Sequence, residues 1–103
     1  RYSLYRKLGI PEIQDLNVLP QKRRRGIARA IVEYCEAKAR AKGCELMGIA
    51  VGVTKEYGPA QIMYIKMGYV PDGNGATYDR QGVTANATYT LDDDFALMLV
   101  KPL

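Results

Sequence analysis

The chain has 103 residues, of which 48% are hydrophobic and 25% are charged, and its formal net charge is +4. These values are typical of one small globular domain with one core. The chain contains no histidine, which excludes serine–histidine and cysteine–histidine nucleophiles and makes a metal site unexpected. No apolar run is long enough to span a bilayer and no signal peptide is visible, so we expect a cytoplasmic protein without a membrane partner.

The first predicted element is a strand from Ile10 to Leu19, which Pro20 ends because proline cannot continue a sheet ladder. A helix is predicted from about Arg25 to Lys42, with Gly43 as its C-cap. A 3.6-residue period predicts which of its faces is apolar. The residues of that face are Ile27, Ile31, Tyr34, Cys35 and Ala39. The opposite face is assigned the charged residues Glu33, Glu36, Lys38, Arg40 and Lys42.

A second apolar strand follows from Leu46 to Val53, and its lack of alternation predicts burial on both faces and a parallel neighbour. Strand, helix and strand in this order predict a right-handed βαβ unit. Gly48 and Gly52 predict a bulge or a close backbone approach in the second strand. The later elements are a helix over about 58–67, a strand from Tyr69, a turn over 71–75, an exposed hairpin or excursion over 78–91 and a last strand over 95–101. The chain is therefore predicted to be an α/β protein with a mixed sheet.

The basic stretch from Gln21 to Ala28 opens the first helix and predicts a phosphate-binding site. Gly26 lets a ligand approach the backbone, and the free N–H groups of the first helical turn point outward at the positive end of the helix dipole. The arginines add charge where a pyrophosphate would need it. The alternative is a solvated, basic helix start. Nucleic acid is less favoured, because no aromatic or basic stripe continues the run.

Two motifs lie on the predicted helices. The first is the strand Ile13–Val18, then Pro20, then Arg23-x-x-Gly26-x-Ala28, and the second is Ala60-x-x-x-Tyr64-x-Lys66-x-Gly68-Tyr69. Together they resemble the cofactor motif (Q/R)-x-x-G-x-(G/A) and the motif A-x-x-x-Y-x-K-x-G-(F/Y) of the GNAT superfamily of acyl-coenzyme A-dependent N-acyltransferases. The resemblance covers about Glu12 to Lys101. It implies a GNAT-like βαβ core with two helices and a C-terminal antiparallel strand pair.

The resemblance also implies acetyl-CoA as the cosubstrate and direct attack by a primary amine, without an acyl-enzyme. It implies that cofactor contacts come from the first strand, the start of the first helix and the second helix region. The residues concerned are Leu16, Asn17, Val18, Arg23, Arg24, Arg25, Gly26, Ile27, Ala28, Tyr57 and Ala60. Tyr57 stands where many members have asparagine. For the strand residues the alternative is an ordinary central strand, with Asn17 capping the turn.

Catalytic roles are likewise implied by the resemblance. Tyr64 would be the general acid for the leaving thiolate, because a phenol is protonated at neutral pH, and the alternative is a core tyrosine. Glu12 is the candidate base that activates the amine, with Asp15 as its competitor and a surface carboxylate as the alternative. Cys35 and Cys44 are expected to be reduced and packed rather than nucleophilic.

Members of the family carry a further N-terminal portion, which forms part of the acceptor site and of the sheet edge. Only Arg1 to Gly9 precede the first predicted strand here. We therefore expect a single, incomplete GNAT domain, and a bare sheet edge makes a homodimer that completes the sheet an expected partner. A catalytically inert coenzyme A-binding or assembly module stays open as the alternative function, and the acceptor also stays open.

Overall fold

A computed structural model describes residues 8–13 and 25–103. In this part of the chain the elements are β1 (Glu12–Ile13), α1 (Arg25–Ala41), β2 (Leu46–Gly52), a 3-10 turn (Lys55–Tyr57), α2 (Gly58–Lys66), β3 (Val70–Tyr78), β4 (Gln81–Gly82) and β5 (Phe95–Pro102). The strands form one sheet in the order β1-β2-β5-β3-β4. β1 is parallel to β2, and the other neighbours are antiparallel. The predicted α/β fold, with a mixed sheet, two helices and a C-terminal antiparallel strand pair, is confirmed.

The interior strand β2 confirms the predicted second strand, because it is buried along most of its length. Its alternate side chains Met47, Ile49 and Val51 enter the main core with both helices, as the two-residue period of a strand requires. The predicted parallel neighbour is also confirmed, because Ile13 of β1 pairs with Ile49. Within the described residues the predicted first strand is present at Glu12–Ile13, and positions 14–19 lie outside them.

The helix α1 has nearly the predicted bounds, but its predicted buried face is only partly right: Cys35 and Ala39 lie in or against the core, whereas Ile27, Ile31 and Tyr34 are exposed. Ile27 is 55% exposed and Tyr34 is 63% exposed, whereas Val32 is completely buried. The residues that α1 contributes to the main core or packs against it are Ala28, Val32, Cys35 and Ala39. Glu36, assigned to the polar face, is only 3% exposed. The helix is rotated toward its small residues because Glu36 has buried partners on distant elements.

The helix α2 places its predicted apolar side in the core. Met63, Tyr64 and Met67 are buried, and Ala60 packs against them. The helix ends where expected, because Gly68 adopts a φ of +103° and its N–H donates to the carbonyl of Ile65 at 3.0 Å.

The predicted turn at 71–75 is a bulge inside β3 and does not end the strand. Pro71 pairs with Leu99 and Ala76 with Leu97, so the residues between them stand opposite a single residue of β5. Gly73 adopts a φ of +87°, a left-handed conformation that glycine accepts without strain. The prediction of a turn-like conformation at these residues is therefore correct, but pairing with β5 keeps the two halves of β3 in one strand.

The predicted exposed hairpin begins at Tyr78 and is confirmed. Asp79 and Arg80 both have positive φ values, 49° and 67°, as a two-residue type I′ turn requires. The segment from Gln81 to Leu91 is mostly exposed. It returns to the sheet through an aromatic cluster, in which Tyr89 lies 6.2 Å from Phe95 and 5.7 Å from Tyr78 between ring centroids.

Candidate cofactor site

A cleft of about 270 Å³ separates the start of α1 from α2. It is lined by Gly26, Arg29, Ile62, Met63 and Lys66. Apart from its chain neighbours and its own helix backbone, none of the described residues would lie within 4 Å of a Cβ at Gly26, so this part of the structure leaves open space beside the glycine. The cleft thus combines a helix N-terminus, two cationic side chains and an apolar wall.

The electrostatics of this cleft favour an anion. The first turn of α1 contains no acidic residue, so nothing on the helix neutralises the positive end of its dipole. Arg29 forms an exposed ion pair with Glu33 at 3.8 Å, a kind of contact that contributes little free energy and that an anionic ligand can replace. A phosphate group with an apolar extension would therefore find matching partners here.

Tyr64 points into the main core from α2 and is 4% exposed. Burial raises the pKa of its phenol from 10.0 to about 12, because the charged phenolate would lose its hydration. Its ring meets the edge of the Tyr69 ring at a centroid distance of 6.2 Å and an angle of 62°. The hydroxyl is therefore a proton donor at neutral pH.

Next to Tyr64, the buried side chains of Glu36 and Tyr69 form a polar cluster with the half-buried Lys101. The Tyr69 hydroxyl donates to Oε2 of Glu36 at 2.7 Å, and Nζ of Lys101 lies 3.1 Å from both carboxylate oxygens. Burial and the adjacent carboxylate raise the pKa of Tyr69 far above its ordinary value. The cluster joins α1, the segment after α2, and β5.

Glu12 in β1 has a side chain without exposed surface and forms an ion pair with Arg80 of the β3–β4 turn. The contact links β1, at one edge of the described part of the sheet, to the β3–β4 hairpin, whose strand β4 forms the opposite edge. The alternative interpretation of Glu12 as an exposed surface carboxylate is therefore wrong. The expected base is buried and has a cationic neighbour.

Comparison with known families identifies the domain that carries these features. The family model described as the acetyltransferase (GNAT) domain matches residues 2–71. The chain belongs to the GNAT family. No curated protein and no solved structure matches the chain. Members of the family are acetyltransferases that generally use acetyl-CoA, which agrees with a cleft suited to a phosphate-bearing ligand.

The GNAT cofactor residues expected from the sequence are only partly described. Leu16, Asn17, Val18, Arg23 and Arg24 lie outside the described residues, as does Asp15. Arg25 begins α1, and Gly26 lines the cleft. Ile27 is exposed in the first turn, whereas Ala28 is buried in the core. Ala60 is half-buried beside the core.

Tyr57 occupies a packed position at the end of β2. A Cβ at Gly52 would lie 2.3–2.7 Å from atoms of the Tyr57 ring, so only glycine lets the ring lie against the strand. This is the close approach predicted for that glycine. The alternative prediction, a bulge in β2, is wrong, because β2 pairs with β5 in unbroken register. The Tyr57 hydroxyl donates to Oδ1 of Asp93 at 2.7 Å, which ties the GNAT helix region to the residues before β5.

The cleft also contains residues that the sequence reasoning did not assign to the cofactor. They are Arg29, Ile62, Met63 and Lys66. Two signals could have indicated them. Arg29 is one helical turn after Gly26 and therefore shares its face, and Lys66 stands within the second GNAT motif. Ile62 and Met63 become lining residues only through the packing of α2 beside α1.

The described residues form neither a cluster of metal ligands nor a membrane-spanning helix. Among residues 8–13 and 25–103, no three cysteine, aspartate or glutamate side chains come together as metal ligands would. None of the helices within those ranges has the length and apolarity to cross a bilayer. Cys35 and Cys44 are both free, and each packs beside the main core.

Proposed function

We propose that this GNAT domain is an N-acetyltransferase that transfers an acetyl group from acetyl-CoA directly to a primary amine. The observation that supports this most is the cleft between α1 and α2, with Gly26 at its helix N-terminus and cations on both of its helices. Only a ligand with both phosphate and apolar parts would use the whole lining. Acetyl-CoA has both, and the family generally uses it.

Arg29 and Lys66 would bind phosphate oxygens from the two sides of the cleft, while the N–H groups of the first turn of α1 donate to the same anion. Ile62 and Met63 would cover an apolar part of the ligand. Further contacts are proposed from the rest of the GNAT cofactor motif. They are backbone contacts of Leu16, Asn17 and Val18, contacts of Arg23, Arg24, Arg25, Ile27 and Ala28, and contacts of Tyr57 and Ala60.

In the proposed reaction the amine nitrogen forms a bond to the thioester carbonyl carbon, and the C–S bond then breaks. The amine loses a proton to a base, and the sulfur gains a proton from the Tyr64 hydroxyl. Solvent then reprotonates Tyr64. A pKa near 12 keeps this hydroxyl protonated throughout the physiological range. No acyl-enzyme is needed, because the amine reaches the carbonyl carbon itself.

Glu12 is the proposed base, and its ion pair with Arg80 sets a condition on that role. A carboxylate covered by a guanidinium can take a proton from the acceptor only after the guanidinium moves. Because Arg80 sits in a two-residue turn, movement of the β3–β4 hairpin would open Glu12 to the amine. Acceptor binding and hairpin movement would then be coupled.

The same ion pair favours the second candidate function, a coenzyme A-binding or assembly module without turnover. In that case Arg80 stays on Glu12 whatever ligand is bound. The two candidates share the cleft and differ in chemistry alone. Turnover on any amine decides between them.

The test is an acetyl-CoA turnover assay against a panel of primary amines, with release of free thiol as the readout. We expect amine-dependent thiol release by the wild-type chain and its loss in Tyr64→Phe. Lys55→Met is a matched control, because Lys55 is exposed in the 3-10 turn and lines no part of the cleft. If the chain binds acetyl-CoA saturably but releases thiol with none of the amines, the inert module is established instead.

We also propose that the chain forms a single GNAT domain in the cytoplasm and that a second copy extends its sheet. In the described part of the sheet, the short strand β4 forms one edge, and both of its residues are exposed. Such an edge offers N–H and C=O groups for pairing. Two free cysteines agree with a reducing compartment. The molar mass in solution, measured by light scattering, tests the second copy.

A further inference from the structure

The buried carboxylate of Glu36 has no role in the proposed chemistry, yet side chains of other elements hold it in place. It lies on the core side of α1 and is 3% exposed. A buried carboxylate is costly unless it is paired and hydrogen-bonded, and an apolar side chain at this position would avoid that cost. Glu36 receives both kinds of partner, the Tyr69 hydroxyl at 2.7 Å and Lys101 Nζ at 3.1 Å.

These partners fix Tyr69 in orientation as well as in place. The hydrogen bond to Glu36 fixes the end of the Tyr69 side chain, and Lys101 Nζ lies 5.6 Å from the centroid of its ring. The aliphatic part of Lys101 passes 3.5 Å from the Cβ position of Gly68, so the lysine itself is held against the end of α2. Tyr69 has no exposed surface.

Tyr69 in turn holds Tyr64 at two points. Its backbone N–H donates to the carbonyl of Tyr64 at 3.0 Å, which fixes the backbone at the end of α2. Its ring meets the Tyr64 ring edge to face, a geometry that restricts rotation of both rings. A continuous set of contacts therefore leads from Glu36 through Tyr69 to Tyr64.

We propose that Glu36 and Tyr69 are positioning residues that hold the Tyr64 hydroxyl in the direction of the leaving thiolate. The inference rests on the proposed function, because it assigns a role in that same proton transfer. Neither residue touches the acetyl-CoA cleft, so neither changes how the cosubstrate binds. They act on the step in which the C–S bond breaks and the Tyr64 proton moves to sulfur, where a small misplacement reduces the rate strongly.

The test is a double-mutant cycle with Tyr64→Phe, Tyr69→Phe and the double variant, measured as kcat and KM for acetyl-CoA. Tyr69→Phe keeps the ring and removes the hydrogen bond to Glu36. We expect kcat to fall about tenfold in Tyr69→Phe and about a hundredfold in Tyr64→Phe, with KM unchanged in both. The double variant should be no slower than Tyr64→Phe, because Tyr69 acts only through Tyr64.

A structural control separates positioning from loss of stability. Val32→Ala removes volume from the core cluster that also contains Tyr69 but leaves the side chains of Glu36, Tyr69 and Lys101 unchanged, and it should leave kcat unchanged at a temperature where every variant is folded. Glu36→Gln keeps an acceptor for Tyr69 but loses its charge, and we expect a kcat between those of the wild type and Tyr69→Phe. Additive losses in the double variant, or an equal loss of kcat in Val32→Ala, would overturn the proposal.

A second readout does not need turnover. With isotope-labelled tyrosine rings, the NMR signal of the Tyr64 ring should shift or broaden in Tyr69→Phe and Glu36→Gln, because the ring loses its fixed neighbour. It should stay unchanged in Ile65→Ala, on the exposed side of α2. If the wild-type chain releases no thiol, the proposed function fails while this readout still tests the contact. An unchanged Tyr64 signal in both variants would overturn the positioning role.

Discussion

At the scale of single residues, the burial of Tyr64 has two opposite chemical consequences. A pKa near 12 keeps the phenol protonated, so the proton needed by the thiolate is always present. The same pKa makes the phenol a weaker acid than an exposed tyrosine. In the proposed reaction a thiolate formed beside this buried phenol would also be destabilised, which would raise the pKa of the thiol and narrow the difference between the pKa values of donor and acceptor.

The raised pKa of Tyr64 predicts a loss of stability at alkaline pH. The unfolded phenol ionises near pH 10 and the folded one near pH 12, so the free energy of unfolding is unaffected below pH 10 and falls between these values. Because the unfolded phenol is already half-ionised at pH 10, we expect Tyr64 to account for a loss of about 1 kcal/mol between pH 10 and 11. Denaturant unfolding followed at several pH values measures it. Tyr64→Phe should show a shallower loss than the wild type, and an equal slope would contradict the assignment.

The ion pair of Glu12 with Arg80 predicts strong energetic coupling between two distant strands of the fold. Arg80→Met leaves a carboxylate without exposed surface beside an apolar side chain, and we expect a destabilisation of about 3 kcal/mol. Glu12→Gln in the same chain should recover much of that loss, because no buried charge then remains. Urea unfolding of both single variants and the double variant measures the coupling. Additive effects would show that the two side chains do not interact in solution.

At the scale of elements, the two helices show how far sequence reasoning reaches. The bounds of α1 and α2 follow from the residues themselves, because Gly43 and Gly68 end them with positive φ values. The buried face of α1 does not follow. Periodicity selects the largest apolar side chains, whereas the actual face is built from small residues and one carboxylate. The partners of Glu36 lie 33 and 65 residues away, where no local pattern points to them.

The orientation of α1 predicts that Val32 contributes more to the stability of the protein than the larger Ile27. Val32→Ala removes completely buried volume and should destabilise the protein by about 2 kcal/mol. Ile27→Ala removes more atoms, but the side chain is more than half exposed, so we expect less than about 0.5 kcal/mol. Thermal unfolding of the two variants compares them directly. A larger loss of stability in Ile27→Ala than in Val32→Ala would contradict the observed buried face and support the one expected from periodicity.

At the scale of the whole molecule, the sheet order brings the described end of the first motif, at the start of α1, beside the second motif on α2. β1 and β2 are parallel neighbours, so α1, which connects them, lies on the same core as α2. Gly26 could be assigned to a cofactor from its loop and helix alone. Met63 and Lys66 could not, because their place in the cleft depends on how α2 packs beside the start of α1. Local chemistry indicated one wall of the site, and tertiary packing supplies the other.

The cleft is the feature on which the whole account depends, and a glutamate at Gly26 tests it. The substitution introduces bulk and negative charge into the cleft, while an acidic residue in the first turn of a helix does not oppose folding. Gly82→Glu is the matched control, because Gly82 is exposed, lies in β4 and also has open space at its Cβ position.

The measurement is calorimetric titration of the wild type and both variants with acetyl-CoA. We expect micromolar binding by the wild type, about −8 kcal/mol, and by Gly82→Glu. Gly26→Glu should bind at least about tenfold more weakly, because phosphate and carboxylate repel each other at the start of α1. Binding by Gly26→Glu as tight as that of the wild type would contradict the assignment of the cofactor to this cleft.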